Sequence, residues 1–339
     1  MRSHYGDQSY QADDRYFDWR FADHPEIPRE SPTIWVCRRE GRVVGQQAAL
    51  PFTVRAGGAV IPAAWAIDLM VDPEWRLRGV APALTAQLCA DRPLVAGLGI
   101  AAAARRGFAR AGWVDLGRVP RYVRLLRPLR AGEAPTGRRP VRPAAALASR
   151  AAVPVLGLLA GTEAAVLGGA RLGGLRFQAI ERFDDRVEPL WAAVAPTHPL
   201  IAHRGLRSLA WRFDAAPQPA VYRKYYLTRG ARVLGYAVLR RRQETMMVVD
   251  HLCLPGWHWA LFAHCLAEAR RAGAAALRCL ATGRKARRSL LALGFLPRPG
   301  PHFMAFAHPL SGLAASLVGE PGNWYLTEAD SDLDHPPLP

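Results

Sequence analysis

The stretch Ala66-Ile67-Asp68-Leu69-Met70-Val71-Asp72-Pro73-Glu74-Trp75-Arg76-Leu77-Arg78-Gly79-Val80-Ala81 decides the fold of this 339-residue chain. Its apolar run, Ile67 to Val71, predicts a short buried strand. Asp72-Pro73 ends the strand, because proline has no amide hydrogen for a ladder and fixes its own φ. Residues 82–89 then have a helical composition. The turn between them, with Gly79 and the small Ala81, leaves backbone N–H groups uncovered at a helix N-terminus, which favours an anion such as a pyrophosphate.

This order of elements resembles a known family. A strand, a break, Arg76-x-x-Gly79-x-Ala81 and a helix are similar to the acetyl-CoA motif of the GCN5-related N-acetyltransferases (the GNAT superfamily), Gln/Arg-x-x-Gly-x-Gly/Ala. The resemblance implies acetyl-CoA as co-substrate and no metal. The implied binding residues, from the strand and the turn, are Leu69, Met70, Val71, Arg76, Leu77, Arg78, Gly79, Val80 and Ala81.

The resemblance also implies a mechanism. An amine attacks the thioester directly within a ternary complex, and a backbone N–H of the strand stabilises the carbonyl oxygen, as in an oxyanion hole. By position, that donor is Met70 or its neighbour Val71. Asp68 is the carboxylate within the strand that could act as general base. A structural role is the alternative for Asp68, because Asp250 occupies the matching place in the second half of the chain.

The general acid departs from the family pattern. GNAT proteins often carry a tyrosine in the frame Ala-x-x-x-Tyr-x-x-x-Gly-Phe, and this tyrosine protonates the departing thiolate. Residues 104–113 fit the frame, but Phe108 stands in the tyrosine's place and has no proton to give. Another group such as Tyr122 acts instead, or the thiolate leaves unassisted.

Composition narrows the class of protein. The net charge of +17 favours an anionic partner, such as coenzyme A or RNA, but basic and aromatic residues are not interleaved as in RNA-binding segments. The cysteines are odd in number and show no Cys-x-x-Cys spacing, which is typical of thiols in a reducing compartment. The N-terminus lacks the apolar core of a signal peptide, and no apolar stretch spans a membrane without a charge or a breaker. We therefore expect a cytoplasmic protein.

The second half of the sequence repeats the first. Trp19-Arg20-Phe21 recurs as Trp211-Arg212-Phe213, and Val43-Val44-Gly45 recurs as Val233-Leu234-Gly235. The spacing from Asp68 to Gly112 equals that from Asp250 to Gly294. The predicted strands, including Trp113-Val114 and Tyr122–Leu126 at the end of the first unit, follow the GNAT order. We therefore predict an α/β (α+β) fold of two tandem GNAT-like units, each a mixed central sheet flanked by helices.

The predicted organisation has four parts. Residues 1–128 form an acetyl-CoA-binding unit, 129–178 a Pro/Arg-rich linker with an apolar helical segment, 179–310 a degenerate unit, and 311–339 an acidic tail. The apolar segment is expected to pack on one or both units, with interfacial membrane contact as the alternative. The tail either folds back on a basic surface or is disordered. The Trp-Arg-Phe triplets are expected to pack, with each arginine capping another group.

The second unit lacks the coenzyme motif. Its strand is followed by Leu254-Pro255-Gly256-Trp257-His258-Trp259, where bulky tryptophans replace the small-residue turn. The predicted function is acyl-CoA-dependent N-acyl transfer, with acetyl as the favoured group, to a small-molecule or peptide amine. The alternatives are a Fem-type transferase that uses charged tRNA, which would suit the +17 charge, and a non-catalytic CoA-binding or scaffold protein, which Phe108 would suit.

Overall fold

The computed structural model describes residues 13–25, 33–133 and 141–334. Part of the predicted linker, the first twelve residues and the last five lie outside these ranges. The strands are β1 Ile34–Arg39, β2 Arg42–Ala56, β3 Ala59–Val71, β4 Leu94–Leu98, β5 Val114–Arg118, β6 Arg121–Leu125, β7 Leu175–Ile180, β8 Leu200–Ala202, β9 Tyr222–Arg229, β10 Arg232–Arg242, β11 Thr245–Cys253, β12 Ala276–Leu280, β13 Leu296–Arg298, β14 His302–Ala307 and β15 Trp324–Tyr325. The helices are α1 Asp14–Phe21, α2 Val80–Asp91, α3 Ala102–Arg110, α4 Pro143–Arg150, α5 Val153–Leu172, α6 Val187–Val194, α7 Leu206–Leu209, α8 His258–Arg271, α9 Arg284–Ala292 and α10 Ala315–Val318.

The strands form two mixed sheets. The first sheet has the order β15-β8-β2-β3-β4-β14-β5, with β1 paired to β2, and the second has the order β13-β6-β12-β11-β10-β9-β7. Each sheet contains a parallel pair at the same point of its unit, β3 with β4 and β11 with β12, and the first sheet has a second parallel pair at its edge, β8 with β15. Helices α2 and α8 each follow the first strand of such a pair. The predicted class, two tandem GNAT-like units with mixed sheets and flanking helices, is confirmed.

The first unit's strands are longer than the sequence patterns predict. The runs 43–50 and 52–54 join into β2, and the run 60–61 joins Ile67–Val71 in β3. Prolines at positions 51 and 62 lie within these strands and so hide the continuity in the sequence pattern. The predicted turn at Gly57-Gly58 connects the two strands, and both glycines have positive φ there.

The two units exchange a strand. Strand β14, from the second half of the chain, lies between β4 and β5 in the first sheet, antiparallel to both. Strand β6, from the first half, lies between β12 and β13 in the second sheet. The prediction that Tyr122–Leu126 closes the first unit is therefore wrong. Strand β5 does not pair with β4, because β14 lies between them. After β5 the chain crosses into the second sheet as β6.

The repeated Trp-Arg-Phe triplets hold the two units together. The indole rings of Trp19 and Trp211 stack with centroids 4.9 Å apart. Each indole Nε1–H donates to the backbone carbonyl of the other tryptophan, at 3.0 Å in both directions. Both polar groups are thus satisfied while the rings are removed from water, which is how tryptophan is usually buried. The predicted packing role is confirmed, and the contact is reciprocal.

The acidic tail is folded back and buried. Glu328, Asp330 and Asp334 form ion pairs with arginines of the second sheet and of the loop after β8. Of the two predicted alternatives for the tail, the folded-back one is confirmed.

Candidate functional site

Strand β3 carries a bulge where the coenzyme strand was predicted. Its register against β2 pairs Ile67 with Ala48 and Met70 with Gln46, so that two residues of β3 oppose the single Gln47. Asp68, in the bulge, has φ +49°, which is rare for a residue other than glycine. The Gln47 side chain donates to the Ile67 carbonyl at 2.7 Å and stabilises the bend. The bulge thus sets the backbone at 68–69 outside the regular ladder.

A cleft opens between β3 and β4 just before the bulge. Strands β3 and β4 pair only at Ala64 with Val95 and at Trp65 with Ala96, although β3 continues to Val71. The predicted coenzyme residues of the strand, Leu69 to Val71, lie beyond this last pair. Unpaired backbone at the point where two parallel strands diverge can bond an extended ligand.

The turn after β3 is open to solvent. Gly79 has φ +82° and precedes α2, no side chain caps the helix, and a Cβ added to Gly79 would meet nothing within 4 Å. Residue 82, in the first helical turn, is a proline without an amide hydrogen. The exposed Arg78 stacks its guanidinium on the Trp75 ring, 5.4 Å from the centroid, and the exposed Arg76 donates to the Val71 carbonyl at 3.3 Å. The turn therefore combines uncapped helix N–H groups, two arginines and free space, which is what a pyrophosphate requires.

Asp68 is held in a buried ion pair. Its carboxylate lies 2.9 Å from the Arg20 guanidinium of α1, and the two side chains are 2% and 0% exposed. Asp68 is thus the group that Arg20 caps, and no local pattern predicts that these two residues meet, because they are 48 positions apart. Asp332 of the tail lies nearby: burial, and then the charge of Asp68, raises the pKa of Asp332. Asp332 was not predicted as a site residue, because the alternating acids of the tail were the only sign of it in the sequence.

Tyr122 is not brought to the motif. Its hydroxyl accepts a hydrogen bond from Arg287 of α9 at 2.7 Å, and its ring lies in the core of the second unit. Phe108 is buried against Trp113, with ring centroids 4.6 Å apart, in the cluster that also holds the first residues of α2. The structure thus removes Tyr122 from consideration as the acid at the first unit's cleft and confirms that the position of the family tyrosine is apolar.

The matching cleft of the second unit is filled by the chain's own tail. Strands β11 and β12 pair at four positions and then separate after Val248. There Ala329 donates its backbone N–H to the Val249 carbonyl at 2.9 Å, and Thr327 donates its hydroxyl to Asp250 at 2.8 Å. The Tyr325 hydroxyl also donates to the His251 carbonyl. A segment of this chain therefore bonds to the strand that lines the second unit's cleft.

Asp250 has a structural environment. Its carboxylate accepts from Arg204 at 3.2 Å and from the Tyr236 hydroxyl at 2.7 Å, in addition to Thr327. Trp257, at the N-cap of α8, packs on the second core and occupies the place of the open turn. The second unit thus keeps the fold of the first without a coenzyme turn.

A small cavity of about 80 Å³ lies between the units. Leu50, Phe52 and Trp65 of the first sheet form its apolar wall, and the second unit and the tail contribute polar groups. These groups include Arg204, Asp250, Asp330 and Ser331. The volume is sufficient for a compact group only, and the cavity is the candidate place for part of an acceptor.

His24 borders this cavity and makes the stability pH-dependent. Burial lowers its pKa to about 3, against about 6.5 in an unfolded chain. The folded state keeps the imidazole neutral, so the unfolded state alone takes up a proton as the pH falls below about 6.5, and stability falls with it. We expect His24→Gln to reduce this slope by at most about 1.4 kcal/mol per pH unit, a limit approached only below about pH 5.5, as measured by urea unfolding between pH 7.5 and 5. Burial raises the pKa of Asp334 to about 6, which affects the pH dependence of stability in the opposite direction, but equally in the wild type and the variant. Equal slopes of the unfolding free energy against pH in these two proteins would therefore contradict the prediction.

The chain was compared with known proteins. Residues 5–102 match the family described as acetyltransferase (GNAT) domain. A probable N-acyltransferase from Enterococcus faecalis, 13% identical, matches 90% of this chain and 68% of its own with a TM-score of 0.59. A GCN5-related N-acetyltransferase from Anabaena variabilis, 14% identical, matches 90% and 69% with a TM-score of 0.60.

A structure of Saccharomyces cerevisiae N-myristoyltransferase with bound myristoyl-CoA is also similar. It is 13% identical and matches 87% of this chain and 74% of its own, with a TM-score of 0.50. At these identities the likeness shows the fold. None of the curated protein sequences matches significantly. Within residues 13–25, 33–133 and 141–334, no three His, Cys, Asp or Glu side chains converge as metal ligands would.

Proposed function

Because residues 5–102 match the acetyltransferase (GNAT) domain family, we propose that this chain transfers an acyl group, in the first instance acetyl, from coenzyme A to a primary amine. The open turn at Gly79 is the observation that carries the proposal. It joins uncapped helix N–H groups to two arginines at the end of a bulged strand. The matching turn of the second unit also follows a bulged strand and precedes an uncapped helix, but it contains no arginine and has the bulky Trp257 at the N-cap. The N-terminal unit is accordingly the coenzyme site, and the second unit supports it.

The proposed reaction needs a proton acceptor and a carbonyl-oxygen donor. The acceptor amine attacks the thioester carbon, the C–N bond forms, and the C–S bond breaks to release the coenzyme A thiolate. A backbone N–H of β3, at Met70 or Val71, stabilises the negative charge on the carbonyl oxygen. The amine's proton goes to a carboxylate. Phe108 supplies no proton to the thiolate, which therefore leaves unassisted or takes a proton from water.

We assign the carboxylate to Asp68 together with Asp332. Asp68 is already engaged by Arg20 in a buried ion pair. Asp332 has its pKa raised beside it and is the better match to an ammonium proton. The amine of a small molecule or of a peptide would enter from the cavity bordered by Trp65 and Ser331, which the tail helps to form.

Calorimetric titration of acetyl-CoA tests the coenzyme site. Gly79→Glu places bulk and negative charge in the turn, and we expect it to weaken binding by about 100-fold or more, since charge-assisted hydrogen bonds to the pyrophosphate are lost. Gly256→Glu is the matched control. Gly256 also has positive φ, +95°, and open space around it, but it precedes the helix of the second unit. It should bind acetyl-CoA as the wild type does.

The alternatives give different outcomes in the same titration. Binding without turnover of any amine in an acceptor screen would indicate a CoA-binding scaffold. Absence of acetyl-CoA binding to the wild type would sink the coenzyme proposal, and the Fem-type transferase with charged tRNA would be tested next. Equal loss in both glycine variants would show that the effect arises from backbone strain and not from the site.

The carboxylate assignment makes a kinetic prediction. Asp332→Asn is expected to lower kcat by about 100-fold or more, with little change in the KM for acetyl-CoA, and to remove the acidic limb of the pH profile. Asp214→Asn is the control, because the Asp214 side chain is also largely buried, at 9% exposed, and paired with Lys224, but lies in the second unit and does not line the cavity. A loss of kcat that is equal in the two variants, with an unchanged pH profile, would assign a structural role to Asp332.

A further inference from the structure

Helices α4 and α5 expose an apolar surface. Of their side chains, Leu147, Val155, Leu158 and Leu172 are exposed, with Leu158 at 71% and Leu172 at 93%. Helix α5 is long and apolar enough to cross a membrane by length and composition. These exposed leucines and valines lie on two helices that are consecutive in the chain. An exposed apolar patch of this kind usually marks an interaction surface.

The opposite face of α5 is fixed to the protein. Glu163 is buried and pairs with Arg124 of β6 at 3.1 Å and with Arg270 of α8 at 3.3 Å. Leu159 contacts Gly294, at the end of α9, closely enough that a Cβ there would lie 2.7 Å from its methyl group. A membrane-spanning position would expose these pairs to hydrocarbon, at a high cost. The helix therefore keeps one face on the protein and presents the other outward.

The outward face is basic at its ends. Arg142 and Arg150 flank α4, and Arg171 lies in the last turn of α5, all exposed. Glu163 is the sole acid between residues 141 and 174, and it is buried. Exposed Leu291 and Leu296 flank Gly294 in the sequence and so continue the apolar surface beyond α5. Apolar side chains bordered by arginines, without exposed acids, complement a surface of hydrocarbon and negative headgroups.

We propose that the α4–α5 surface docks the protein on an anionic lipid bilayer. The exposed leucines and valines enter the boundary between headgroups and acyl chains, and the arginines lie among lipid phosphates. A second copy of this chain is the other occupant to consider, because Gly157, Gly161, Ala165 and Gly169 would allow close helix contact. The arginines favour lipid, since two copies packed face to face would bring like charges together. The proposal is independent of the proposed enzyme activity.

Sedimentation with vesicles tests the docking surface. The full chain is incubated with vesicles of phosphatidylcholine alone and of phosphatidylcholine with one-third phosphatidylglycerol, and the bound fraction is measured after centrifugation. We expect binding to the anionic vesicles at least tenfold stronger than to the neutral ones, and weaker binding as salt is raised. Val155→Glu combined with Leu158→Glu should reduce the anionic binding by tenfold or more.

The matched control is Leu310→Glu. Leu310 is an exposed leucine, at 88%, in the loop after β14 and outside the surface. It should bind vesicles as the wild type does, and thermal unfolding of all the variants should remain unchanged. Absence of binding to anionic vesicles, or equal binding by the double variant, would overturn the proposal. So would light scattering that shows a dimer in the wild type and a monomer in the double variant, with no vesicle binding by either.

Discussion

Glu328→Ala is expected to lower the free energy of unfolding by about 3 kcal/mol, because it leaves arginines inside the protein without their counter-charge. The Glu328 carboxylate is fully buried and accepts two hydrogen bonds from Arg121, at 2.7 and 2.8 Å. It also lies 3.3 Å from Arg278 of β12. The loss is measured by urea unfolding near pH 7.5, where the carboxylate is charged in the unfolded chain.

A surface ion pair provides the comparison. Arg186 and Asp184 lie 2.7 Å apart, but their side chains are 45% and 44% exposed. Arg186→Ala should therefore change the free energy of unfolding by less than about 1 kcal/mol, since water replaces the lost partner. Losses of similar size in the two variants would show that the buried tail charges do not determine how firmly the tail is held.

The predicted loss of stability in Glu328→Ala has a functional consequence, because Glu328 holds the tail in place. The segment from Tyr325 to Ala329 fills the second unit's cleft, and Asp332 lies beside Asp68 in the first unit. A tail released by Glu328→Ala would therefore open the second cleft and remove Asp332 from the site together. We expect the same variant to lose acyl transfer by more than its fold stability explains, measured well below its unfolding temperature.

The first unit is expected not to fold on its own. A fragment of residues 1–128 lacks β14, which pairs with β4 over five residues and with β5 over four. It would also carry β6 without its sheet, and two unpaired inner edges would face solvent. We expect the fragment alone to aggregate or to lack a cooperative unfolding transition, measured by circular dichroism and gel filtration.

Complementation distinguishes strand exchange from general instability. Co-expression of residues 1–133 with 141–339 supplies β14 in trans, and the two chains should purify together as a folded complex. The same experiment with residues 301–308 deleted from the second chain should fail. A folded, monomeric fragment 1–128 would contradict the prediction and would support the boundary that the sequence suggests for the N-terminal unit.

The sequence by itself predicted the features that depend on neighbours along the chain. The repeat, the strand before Pro73, the open turn at Gly79 and the tryptophan-rich turn of the second unit follow from local composition and spacing. Each depends on proline, glycine or apolar periodicity within a few residues, and these act on backbone geometry directly. Phe108 was likewise identified from its frame, and the structure places it in an apolar core.

Only the tertiary structure showed which sheet β6 and β14 join. It also showed which acidic and basic side chains form ion pairs. Strands β6 and β14 have nearly the same burial pattern, and each sheet has a gap for one strand at the same place. No local signal in the sequence therefore determines which sheet each strand joins. The same holds for Arg20 with Asp68 and for Glu328 with Arg121. These pairs are separated by 48 and 207 positions, and their attraction exists only once burial has removed water from around them. The open turn at Gly79 was therefore predictable from the sequence, whereas the pairing of Asp68 with Arg20 and the tail in the second cleft required the folded chain.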